Sequence, residues 1–114
     1  MSTNLRQEKC VACNRDAPRV TNDERRELSS QIPEWEVLEI DNIPRLTRLY
    51  EVVDFVTALD LTNRVGAIAE EQAHHPEIVT EWGKVRVTWW THKIKGLHRN
   101  DFVMAARTDV LAAG

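Results

Sequence analysis

At 114 residues, the chain is long enough for one domain with a modest core and no dependence on disulfides. Its formal net charge of −3 and pI near 5.8 exclude the basic stripe of a nucleic-acid reader, so no nucleic-acid partner is expected. No apolar run approaches a membrane span, and the polar N-terminus lacks a signal-peptide core. We therefore expect no membrane partner and a cytoplasmic location.

Residues 1–20 read as an N-terminal tail, and 21–114 as a single domain. The tail carries Cys10 and Cys13 as a Cys-x-x-Cys pair. A redox role would want a βαβ pattern beside it, and structural zinc would want two further ligands. The pair is expected to be reduced, silent thiols, the rival being a half-site completed by another subunit.

Thr21 or Asn22 caps a helix running to about Gln31, with Asp23 and Glu24 in its first turn and Pro33 as its stop. A strand follows from Trp35 to about Ile40, and Asp41-Asn42 with Pro44 mark a turn. Leu46 to Val53 is a second strand. Asp54 then caps a long helix from Phe55 to about His74. Its apolar face is formed by Phe55, Leu59, Thr62, Val65, Ile68 and Ala69. Pro76 disfavours helical geometry at His75 and ends it.

Glu77 to Thr91 reads as a hairpin around Gly83-Lys84, a Gly-X pair suited to a type II′ turn. That register opposes Trp82 to Val85, Ile78 to Trp89 and Glu81 to Arg86, and by extrapolation His75 to His92. Ile78, Thr80, Trp82, Val85, Val87 and Trp89 would face the helices; Trp90 would share the histidine face. Asn100 to Ala112 is a last helix with apolar Phe102, Val103, Ala106 and Val110. The order αββαββα predicts an α+β fold, a four-stranded antiparallel sheet with helices packed on one face.

Three of the four histidines, His74, His75 and His92, converge in this scheme at a pocket reached by solvent. Imidazole titrates near neutral pH, so such a cluster suits a reaction in which one atom loses a proton while a leaving group gains one. Glu70 lies one helical turn before His74 and could hold its tautomer. Asp101, at the start of the last helix, could do the same, bind a polar edge of a substrate, or simply favour the helix N-terminus. A zinc site is the rival reading, but adjacent histidines diverge and no third ligand follows at helical spacing, so no metal is expected.

Glu70, His74-His75-Pro76, Trp82, His92 and Asp101, with their spacings, resemble the signature of the pterin-4a-carbinolamine dehydratases. The resemblance covers roughly Thr21 to Leu111. It implies dehydration of 4a-hydroxytetrahydrobiopterin to quinonoid dihydropterin, a hydro-lyase step that regenerates the cofactor of aromatic amino-acid hydroxylation. By resemblance His74, His75 and His92 carry acid–base work and substrate orientation, with Glu70, Asp101 and Trp35 as substrate-binding residues. No metal or cofactor is implied, the pterin being the substrate. Trp90 stands where animal-type members have a small residue and would narrow the pocket; His98 stands where they have Ser, removing one possible helix cap that Asn100 could supply instead.

The alternatives are a protein-binding dimerisation cofactor, as some animal relatives are, or a pterin-binding regulator without turnover. An uncovered edge strand predicts a homodimer at least, and a homotetramer is open through helix packing.

Overall fold

The computed structural model of the chain describes residues 4–8 and 18–113; Cys10 and Cys13 lie outside the described residues. Helix α1 (Asn22–Ser29) starts at a capping box. The Thr21 hydroxyl accepts from the Glu24 amide while the Glu24 carboxylate accepts from the Thr21 amide. Strands β1 (Glu36–Ile40) and β2 (Ile43–Glu51) are joined by Asp41-Asn42, both at positive φ (55° and 64°), as a two-residue I′ turn requires. Pro44, expected in the turn, lies in β2 opposite Glu39, outside the β2–β4 ladder that begins at Leu46.

Asp54 caps helix α2 (Phe55–Gln72) by accepting from the Thr57 amide at 2.8 Å. Strands β3 (Glu77–Glu81) and β4 (Lys84–Trp89) follow, then a 3-10 turn at His92–Ile94 and helix α3 (Arg99–Ala113). The sheet order is β1-β2-β4-β3, antiparallel throughout, and α2 and α3 pack on the same side of it. The expected α+β order is therefore the observed one. Leu46, Val85, Val87 and Trp89 line the covered face, while Leu38, Leu49 and Val79 alternate onto the open one.

The hairpin loop sits one residue earlier than expected. Gly83 takes φ +77° as the second loop residue, not the first, so the loop is Trp82-Gly83 and Thr80 opposes Val85. Trp82 consequently projects into solvent at 70% exposure instead of entering the core. Each partner moves by two positions, an even number, so the faces of all other hairpin residues are unchanged. Val79 now opposes Arg86, and Glu81 opposes Lys84, with a loose ion pair at 3.9 Å.

The buried stripe of α2 is also rotated, to Ala58, Leu61, Val65 and Ala69. Phe55 and Leu59 are exposed, because the small Ala58 and Ala69 let the helix lie close to its neighbours along that line. In α3 Val110 is exposed, whereas Met104 and Ala105 join the core. Residues 4–8, placed in the tail by sequence, dock on α3: Leu5 is fully buried and Glu8 grips Arg99 bidentately at 2.6 and 2.9 Å. The Leu5 amide donates to Gln31 at 3.0 Å, tying the segment also to the end of α1.

Candidate active site

Helix α2 ends just before the histidines. Ala73 adopts the left-handed conformation (φ 52°, ψ 41°), and the amides of Ala73 and His74 return to carbonyls of the last turn. That turn aims the next two side chains in different directions. His74 goes inward, where its Nε2 lies 2.6 Å from Asp101 Oδ1 and its ring stacks on Trp89, 5.7 Å between centroids and 7° between planes. His75 stays exposed, its Nε2 2.7 Å from Glu70 Oε1. Glu70 thus partners His75 and not His74, correcting the sequence expectation. The four-residue rule applies only while the helix continues, and it has stopped at Gln72.

Asp101 is the hub. It is completely buried and accepts three hydrogen bonds: His74 Nε2 on Oδ1, and the Thr91 hydroxyl (2.8 Å) and His98 amide (2.9 Å) on Oδ2. It sits in the first turn of α3, where the helix dipole also favours a negative charge. With no exposed surface, the carboxylate is spent on these three donors and holds the His74 ring through Nε2. Facing a carboxylate, Nε2 carries the hydrogen and donates, which leaves Nδ1 of His74 as the nitrogen able to exchange a working proton. The same argument assigns Nδ1 of His75, since its Nε2 donates to Glu70.

His92 does not oppose His75 across the hairpin, because β3 begins only at Glu77 and β4 ends at Trp89. It opens the 3-10 turn, exposed, with its ring stacked on Trp90 at 4.4 Å and 18°. The Arg45 guanidinium lies 4.1 Å from the Trp90 ring. The three histidines are linked through the chain instead. His75 adjoins His74, and His92 adjoins Thr91, which shares Asp101 with His74.

Trp35 is elsewhere. Its Nε1 donates to Asp109 Oδ1 at 3.0 Å and its ring meets Tyr50 edge-on at 6.2 Å. Arg48 (2.8 Å) and the Tyr50 hydroxyl converge on the same oxygen. Burial, then the hydrogen bond to Asp109, push the Tyr50 phenol well above its usual range. Asp109 lies two turns along α3 from Asp101, about 12 Å at the α-helical rise. The structure therefore forms two separate pairs, buried His74–Asp101 and exposed His75–Glu70, reaches His92 from the first pair through Thr91, and leaves Trp35 in another cluster. Among the described residues no three His, Cys, Asp or Glu side chains converge as a metal site would require. Nor is any described helix long and apolar enough to cross a membrane.

Sequence reasoning missed Thr91, and it took His98 to remove a helix cap, whereas the His98 ring accepts from the Asn100 amide and the His98 amide donates to Asp101. The signal for the second was present, since His98-x-x-Asp101 has the spacing of a capping box with unusual residue types.

The sequence profile described as Pterin 4 alpha carbinolamine dehydratase matches residues 18–111. The chain belongs to the pterin-4a-carbinolamine dehydratase family. Within it, a protein of Nitrosococcus oceani provisionally named a pterin-4-alpha-carbinolamine dehydratase is 59% identical over 102 residues, 90% of each chain. A Gloeobacter violaceus protein of the same provisional name is 56% identical over 110 residues, covering 96% of this chain and 95% of that one. Among solved structures, a Brucella melitensis protein described as a transcriptional coactivator/pterin dehydratase superposes with a TM-score of 0.75 at 29% identity. That match covers 83% of this chain and 99% of the other. The fold and the dehydratase family are thus supported by both sequence and structure comparisons.

Proposed function

We propose that this family member is a hydro-lyase that dehydrates pterin-4a-carbinolamine to quinonoid dihydropterin in the recycling of tetrahydrobiopterin. The observation that carries this reading is the buried Asp101–His74 pair, with His75 and His92 on accessible surface beside it, in a chain of this family. The reaction breaks the C4a–O bond and the N5–H bond. One proton goes to the departing hydroxyl, which leaves as water, and one is taken from N5 as the C4a–N5 double bond forms. Imidazole side chains can give or take a proton and serve both transfers, each worth about 10²–10⁴-fold. His74, fixed through Nε2, exchanges its proton through Nδ1; His75 and His92 supply the partner group and orient the ring. In this reading Asp101 and Glu70 hold imidazoles, and the chemistry runs without metal or cofactor. The protein works in the cytoplasm as a homodimer or homotetramer.

The test is the rate of quinonoid dihydropterin formation from freshly generated carbinolamine, with and without the protein. Acceleration by the wild type that is lost in a His74→Ala variant supports the reading. An unchanged rate with folded protein rejects it.

A second reading, a protein-binding dimerisation cofactor, draws on the likeness to the Brucella melitensis protein described as a transcriptional coactivator and on exposed apolar side chains here. Val53, Phe55, Val56 and Leu59 cluster at the start of α2. A folded chain without turnover that still forms a defined complex through this helix would favour it.

A further inference from the structure

His98 occupies the residue before α3, the position that normally holds Ser, Thr, Asp or Asn. Here the imidazole does the capping. Nδ1 of His98 accepts from the Asn100 amide at 3.0 Å, and Asp101 accepts from the His98 amide at 2.9 Å. The pair reproduces the reciprocal logic of a capping box with histidine and aspartate in the two roles. The carboxylate that closes this box is the one that orients His74.

We propose that His98 is a positioning residue for His74: its neutral imidazole completes the cap that fixes Asp101, and its protonation opens that cap and loosens His74. The activity arm of this proposal rests on the dehydratase reading; the structural arm does not.

An Nδ1 that accepts from a backbone amide must hold a lone pair, so the folded state selects the tautomer with hydrogen on Nε2. A second proton would place N–H against N–H. The ionisable groups facing His98 are Asp101, in the first turn of α3, and His74, from the end of α2. The adjoining Arg99 is turned away to Glu8. Burial of His98 disfavours the cation first of all, outweighing the attraction of Asp101, and holds its pKa below the ordinary 6.5. The unfolded chain therefore takes up this proton at a higher pH than the folded one. Between the two values the unfolded state binds more protons, so stability falls as the pH drops below 6.5 and levels off below the folded value.

The experiment compares the wild type with His98→Ser, which offers a cap that does not titrate, and His98→Ala, which offers none. In the wild type the Asn100 amide resonance should follow protonation of His98, with a midpoint below 6.5, and the His74 imidazole nitrogen resonances should shift over the same interval. His98→Ser should abolish the Asn100 titration and flatten the acid slope of thermal stability. Its acid limb of turnover should move to lower pH. His98→Ala should turn over more slowly than His98→Ser at every pH, so that serine rescues what alanine loses.

Coincident acid limbs and coincident stability slopes for wild type and His98→Ser would overturn the proposal. So would an Asn100 resonance that does not move in the wild type, a measurement that needs no variant to fold. If the wild type shows no turnover at any pH, the dehydratase reading fails, and the Asn100 titration and stability slopes still decide the role of His98.

Discussion

Replacing Asp101 with Asn changes one buried atom and should separate catalysis from folding. The carboxylate accepts three donors, two on Oδ2 and one on Oδ1. An amide keeps only one acceptor atom. Placed with its oxygen at the Oδ2 position, the amide still serves Thr91 and His98, but turns an NH₂ toward His74 Nε2. His74 must then move its hydrogen to Nδ1 and accept through Nε2, which removes the lone pair from the nitrogen assigned to proton exchange. One charge-assisted bond is lost and a weaker one gained, so the cost should be about 1–3 kcal/mol. For a domain of this length that is about 4–12 °C in Tm. Turnover should fall by about 10²–10⁴-fold, the range for losing one placed acid or base. The assay pairs carbinolamine dehydration with nitrogen NMR of the His74 imidazole. An Asp101→Asn variant that is folded, keeps hydrogen on Nε2 and turns over within about threefold of wild type would refute the tautomer argument.

His92→Ala should slow turnover by about 10²-fold or more with little change in Tm, because His92 is exposed and, among the described residues, its ring meets Trp90 by stacking. His74→Ala should slow it as much but also destabilise, since it strips a partner from buried Asp101; equal Tm values for the two variants would contradict this assignment. Leu5→Ala should cost about 2–4 kcal/mol, measured by urea unfolding, because its side chain is fully buried where residues 4–8 dock on α3. A loss below about 0.5 kcal/mol would mean that the segment is not docked. Gly83→Ala should cost about 1–2 kcal/mol from backbone strain at φ +77°, since the new Cβ would meet Val52 O at an ordinary 3.5 Å; a neutral effect would argue against the Trp82-Gly83 loop.

What the sequence disclosed follows from how local each signal is. The caps at Thr21 and Asp54 and the turn at Asp41-Asn42 need only neighbouring residues to form. The hairpin faces survive a wrong register because alternation depends on parity, not on the loop position of Gly83. Helical spacing assigns Glu70 to the wrong histidine because one left-handed residue, Ala73, redirects the chain, and alanine gives no warning of that conformation. The burial of Asp101 and the docking of Leu5 depend on contacts remote in sequence, which no spacing reports. Trp35 enters the expected site through family likeness alone, and its indole is engaged by Asp109.

Ala73 also bears on how this protein would respond to selection or design. Glycine is the residue that fits a left-handed helix terminus without strain, so Ala73→Gly would relieve the folded state locally. It would also widen the range of directions open to His74 and His75, and enlarge the unfolded ensemble. The methyl group of Ala73 can thus be viewed as a stiffener: a small standing strain exchanged for a narrow distribution of imidazole orientations. Libraries scored on thermostability alone would discard it, while libraries scored on turnover would retain it.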